Sequence, residues 1–233
     1  MKEEIMIEQE NEQQSLSSSL KNIFFKPSRA FENINLKRII IFSIIIMAAA
    51  GFLTGWIGAS VLGDTEAALE EVRGMEGMTE EGLAQTEEML TSGIFTTIIS
   101  SFLIIGGIIG TIFGWLIMGG ILTLVFNLMG GEAKYSKTLA VLGLSWIPLF
   151  LREVFKTIWF FSTGEFASAT SVLHNQADIF VLWNVILLIV GFSIVYGLSK
   201  KKSAAAVLGY KAFYLLLIYG LSSLNQFIAG GFM

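Results

Sequence analysis

The run IFTTIISSFLIIGGIIGTIFGWLIMGGILTLVFNLMGG, residues 94–131, holds no charged side chain over 38 consecutive positions. About 20 helical residues cross a bilayer core of roughly 30 Å, so such a run reads as transmembrane. At 1.5 Å per residue it extends about 57 Å, too long for one upright crossing and short for two with a turn. It is expected to be one long, tilted helix that projects beyond the membrane.

The rest of the chain divides around this run. Residues 39–62 are uncharged, 135–162 are apolar but hold Arg152, Glu153 and Lys156, and 179–198 and 204–229 are two more apolar stretches. The expectation is an all-α, polytopic membrane protein with five transmembrane helices in a compact, glycine-rich bundle over 39–229. Composition agrees: 54% of 233 residues are hydrophobic and 15% charged, against about 45–50% and 25% in soluble domains. With no cysteine and a single histidine, His174, disulfide frameworks, cysteine-ligated zinc and sites needing two imidazoles are excluded. A net charge of −4 argues against nucleic acid as a partner.

Cations beside the spans set the orientation. Lys21, Lys26, Arg29, Lys37 and Arg38 precede the first span, and 63–93 holds nine carboxylates and one arginine. Lys134 and Lys137 occupy the next turn, 163–178 has no Lys or Arg, and Lys200, Lys201 and Lys202 follow. The alternation places the N-terminus in the cytoplasm, the acidic segment 63–93 outside, and the C-terminus outside. The expected location is the cell membrane, multi-pass, with no cleavable signal peptide.

Outside the spans, residues 1–19 are rich in Glu, Gln and Ser and read as a disordered cytoplasmic tail. Residues 20–38 read as an amphipathic segment in the headgroups: Phe24, Phe25 and Phe31 alternate with Lys26 and Arg29, and Pro27 suits a first helical turn. A simple orientation signal explains the same residues. In the acidic segment, Thr79 before Glu80 and Glu81 resembles a helix start. The cluster lacks calcium-loop spacing, so a solvated face is the plainer reading.

Within the spans, Gly51, Gly55 and Ala59 recur every four residues, as do Gly106, Gly110 and Gly114. Small residues at this spacing let helices approach closely, and the expected role is packing within the monomer. Self-association into a homo-oligomer and a substrate path along the seam are further readings. Arg152, Glu153 and Lys156, after Pro148, form a candidate polar gate, since intramembrane charges default to function. Arg152 lies about 26 Å along the helix from Tyr135, near the outer headgroups, so snorkelling and Glu153–Lys156 pairing explain the group without transport. No hydrolase, metalloprotease or nucleotide-loop motif occurs. No catalytic residue, metal ligand or cofactor site is expected, and the protein reads as non-enzymatic.

Three segments match a known pattern. FFKPSRAFENI carries Phe24, Phe25, Pro27, Phe31 and Ile34. FNLMGGEAKYSKTLAVLGLSWIP carries Gly130, Gly131, Tyr135 and Pro148, and ADIFVLWNVILLIVGFSIVYGLSKKKSAAAV carries Trp183, Gly191, Gly197, Leu198 and Ser199. Together they resemble the Ypt-interacting protein (Yip) family over about residues 20–229. The resemblance implies five spans with a cytoplasmic N-terminus. Eukaryotic relatives work in vesicle traffic and bind Rab-type GTPases, but the short tail and acidic external segment look like a bacterial member, where Rab partners are absent. Some such members resemble accessory subunits of ABC-type exporters. The expected function is therefore a membrane adaptor, assembly or accessory subunit, partnered by the lipid bilayer and other integral membrane subunits. The alternative is a small permease or channel.

Overall fold

The computed structural model describes residues 15–63, 79–163 and 178–230, and these form helices with no β-strand among them. Ser15 starts α1 (Leu16–Phe25), its Oγ accepting from the Ser18 N–H at 3.2 Å. Pro27 ends that helix and opens α2 (Pro27–Ala30) at its first position, where a missing N–H costs nothing. Asn35 Oδ1 accepts from the Arg38 N–H at 3.1 Å beside the start of α3 (Leu36–Gly63). Thr79 caps α4 (Glu80–Thr91), accepting from the Gly82 N–H at 3.1 Å, with Glu80 and Glu81 in the first turn. This is the start that the sequence suggested. The long charge-free run forms one helix, α5 (Gly93–Leu128), of 36 residues.

The next apolar stretch divides. It forms α6 (Tyr135–Ser145) and α7 (Ile147–Thr163), separated at Trp146. Pro148 has no N–H for the carbonyl four residues back, and at the break the Trp146 N–H turns to Gly143 O at 3.2 Å. Asp178 caps α8 (Ile179–Tyr196), which ends at Gly197 with φ +63°. The Gly197 and Leu198 N–H groups bond back to the carbonyls of Ile194 and Ser193 at 3.3 and 3.1 Å, a left-handed cap that glycine adopts without strain. The last helix is α9 (Lys200–Gly230).

Four helical stretches are long and apolar enough to cross a bilayer: Leu36–Ser60, Gly93–Leu128, Tyr135–Thr163 and Ile179–Tyr196. The fifth expected span lies within α9. Of the tail at 1–19, residues 1–14 lie outside the described residues, whereas 16–19 are already helical. Residues 64–78 of the acidic segment, and His174, also lie outside them.

α3 and α5 run antiparallel in backbone contact. A Cβ on Gly51 would collide with the carbonyl of Gly107, and one on Gly107 with the carbonyl of Gly51. One turn on, a Cβ on Gly55 would fall 2.5 Å from Leu103 O. Such proximity maximises dispersion contact where lipid supplies no hydrophobic drive. On its other side α3 meets α6, where Ser43, buried and donating to Ile39 O at 2.7 Å, lies against Gly143.

The turns bearing Lys134 and Lys200–Lys202 come together with the start of α3 at one end of the bundle. There the core is filled. Phe126 stacks on Phe192 at 4.3 Å and on Tyr196 at 5.0 Å. Phe31 is 2% exposed and occupies the space left by Gly191, where a Cβ would fall 2.9 Å from its ring. Tyr196 Oη shares a hydrogen bond at 2.5 Å with Thr138, which also accepts from Thr123 at 2.8 Å.

Candidate functional site

Away from the basic end, packing gives way to a cavity of about 300 Å³ bounded by α5, α6, α7, α8 and α9. Gly110, Gly114 and Trp115 of α5 form one wall, with Trp146 at the α6–α7 break. Arg152 and Asn184 line it from α7 and α8, and Tyr210, Lys211 and Tyr214 from α9. The α6–α7 break leaves room for this space, and it also orders the wall: Asn184 Nδ2 donates to Ser145 O at 2.7 Å. Neighbouring polar side chains satisfy backbone at helix breaks within membranes. Asn184 Oδ1 and Trp115 Nε1 are both buried with no hydrogen-bond partner among the described residues, the kind of orphan that calls for an explanation.

The charges lie mostly on α7. Arg152 pairs with Glu153 at 3.0 Å and with Asp178 at 3.2 Å, and Lys156 lies 3.7 Å from Glu153. Asp178 thus both caps α8, accepting from the Val181 N–H at 2.8 Å, and holds Arg152. Lys211 has no carboxylate within ion-pair distance among the described residues, and its Nζ lies 5.9 Å from the Tyr210 ring centroid.

The residues singled out from the sequence fall in different places. Arg152 lines the cavity, whereas Glu153 and Lys156 stand behind it as its ion-pair network. Gly51, Gly55 and the buried Ala59 lie along α3, the two glycines against α5. Gly106, Gly110 and Gly114 do not pack against another helix; a Cβ on any of them would meet nothing within 4 Å. The α5 residue against Gly51 is Gly107, about 100° around the helix from Gly106. A four-residue repeat defines a stripe, but not the stripe that meets a neighbour. In the segment before the first span, Phe24, Phe25, Lys26 and Arg29 are exposed and Pro27 half-buried, while Phe31 turns inward as an anchor between α2 and α8 rather than toward headgroups.

Two site residues, Lys211 and Asp178, escape sequence reasoning. Lys211 is a lone cation inside an otherwise apolar stretch. Asp178 lies 26 positions from Arg152, whereas Asn184, a polar residue in an apolar span, bonds across 39 positions to Ser145. A cation within an apolar stretch was the one available signal.

A family model for the Yip1 domain matches residues 21–224, from the segment holding Phe31 to well within α9. The chain belongs to the Yip1 domain family. No curated protein and no solved structure matches it. This Yip1 domain is an integral membrane protein with several apolar helices of spanning length, and the match takes in both the filled basic end and the cavity.

Proposed function

We propose that this Yip1-domain protein is a non-enzymatic adaptor, assembly or accessory subunit of a larger complex in the cell membrane, such as an ABC-type exporter. In this reading it spans the bilayer five times, with its N-terminus in the cytoplasm, the acidic segment outside and its C-terminus outside. The observation that carries it is the filled basic end. Phe126 and Phe192 are fully buried and Tyr196 nearly so, and their stack lies between the cavity and the basic turns. A solute crossing the bundle would have to displace that stack and its hydrogen-bonded hydroxyls. The gathering of Lys134 and Lys200–Lys202 at that end supports a cytoplasmic assignment.

Mild-detergent affinity purification should recover the protein with other integral membrane subunits. Recovery alone, together with solute flux in proteoliposomes, would favour the permease reading, which rests on the cavity. Reporter fusions at Gly77, Lys201 and the C-terminus should read outside, inside and outside. An outside signal at Lys201 would overturn the five-span arrangement.

A further inference from the structure

Among the described residues the cavity carries a charge imbalance: Arg152, Lys156 and Lys211 face only two carboxylates, Glu153 and Asp178. Those two are engaged by Arg152 and Lys156, so the surplus positive charge resides on Lys211, half-buried in the cavity wall. A low-dielectric site with one uncompensated cation favours a monoanion. Two further groups refine the ligand. Trp115, 5% exposed, offers an N–H donor, and Asn184, 2% exposed, offers a carbonyl acceptor, both unpartnered. The acceptor requires a ligand with a hydroxyl or another donor besides its anionic oxygens.

The cavity also has a direction of access. Gly110 and Gly114 are exposed, and without side chains they leave the α5 edge open beside Tyr214 of α9. Phe113 and Ile117 of α5 and Phe213 of α9 are each more than half exposed, so the surface flanking this opening is apolar. A volume of about 300 Å³ is at the low end for small-molecule sites. It suits a headgroup whose acyl chains stay outside against that apolar flank.

We propose that the cavity binds a hydroxyl-bearing phosphate monoanion entering sideways from the bilayer, the headgroup of an anionic phospholipid of the phosphatidylglycerol type. Lys211 and Arg152 attract the phosphate, Trp115 donates to it, and Asn184 accepts from a headgroup hydroxyl. A soluble phosphate shares part of this chemistry, so the test carries both.

Purified full-length protein in neutral detergent is titrated with phosphatidylglycerol, phosphatidylcholine or inorganic phosphate, with bound lipid read by native mass spectrometry and unfolding temperature followed in parallel. Phosphatidylglycerol should bind at about tenfold lower concentration than phosphatidylcholine, a difference of ~1.4 kcal/mol. Lys211→Gln should erase the preference and Lys211→Arg retain it. Should Lys211→Gln fail to fold, Gly114→Leu carries the test: it narrows the opening, leaves every charge in place, and should abolish lipid retention. Stabilisation by phosphate with no lipid preference overturns the lipid as the source. Equal binding of both lipids with no response to phosphate overturns the site, as does an unchanged preference in folded Lys211→Gln.

Discussion

The two halves of this bundle solve the same packing problem in opposite ways. At the basic end, glycines are sockets: Gly191 admits the Phe31 ring, and Gly131 is covered by Tyr196, a Cβ there falling 2.6 Å from its ring. Around the cavity, glycines are gaps, with Gly110 and Gly114 facing open space. At the basic end the hydroxyls of Ser19 and Ser203 are buried without a partner among the described residues, but those of Thr123, Thr138 and Tyr196 find one another. Polar atoms of Trp115 and Asn184 beside the cavity do not. The first half is built to stay one shape, the second to leave room. The same residue type thus serves both ends, and only its neighbours distinguish them.

Substitutions sharpen this contrast. The largest effect should come from Phe126→Ala, which empties the centre of the aromatic stack and should cost ~3 kcal/mol in a reversible detergent-unfolding titration. Gly191→Leu forces a side chain against Phe31 and Val141 and should cost about 2 kcal/mol by overpacking. Tyr196→Phe keeps the stack but removes the Thr138 hydrogen bond, and the expected loss is about 1 kcal/mol. Gly114→Ala should be nearly silent, within about 0.5 kcal/mol. A Gly114→Ala penalty comparable to that of Gly191→Leu would show that the cavity wall is as tightly packed as the basic end, and the contrast would fail.

The parts legible in the sequence are those governed by local rules. The absence of charge and proline over 94–128 favours a continuous helix because nothing within it breaks hydrogen bonding or demands water. Thr79 and its acids mark a helix start because capping acts within one turn. Pro148 lies where the third stretch divides, and glycine spacing marked α3 as a close-packing helix. Illegible were features that depend on which way a helix is turned. A rotation of about 100° exchanges Gly106 for Gly107, and sequence periodicity carries no reference direction. Phe31 looked interfacial because its neighbours are basic and aromatic, yet its burial depends on Gly191, 160 positions away. Lys211 was hidden by its surroundings: one cation hardly lowers the mean hydropathy of a long apolar stretch, and its consequence appears only when Arg152 and Asn184 are brought alongside.

The length of α5 has a mechanical consequence. Thirty-six residues reach about 54 Å, and even leaning 40° from the normal the helix overruns a ~30 Å hydrocarbon core by roughly 10 Å. If its far end is held near one interface, the junction at Ser92 stands off from the other by at least a Debye length at physiological salt, about 8 Å. The overhang acts as a spar. It holds the α4–α5 junction at Ser92 away from the hydrocarbon surface, so the acidic α4 joins the bundle from the aqueous side.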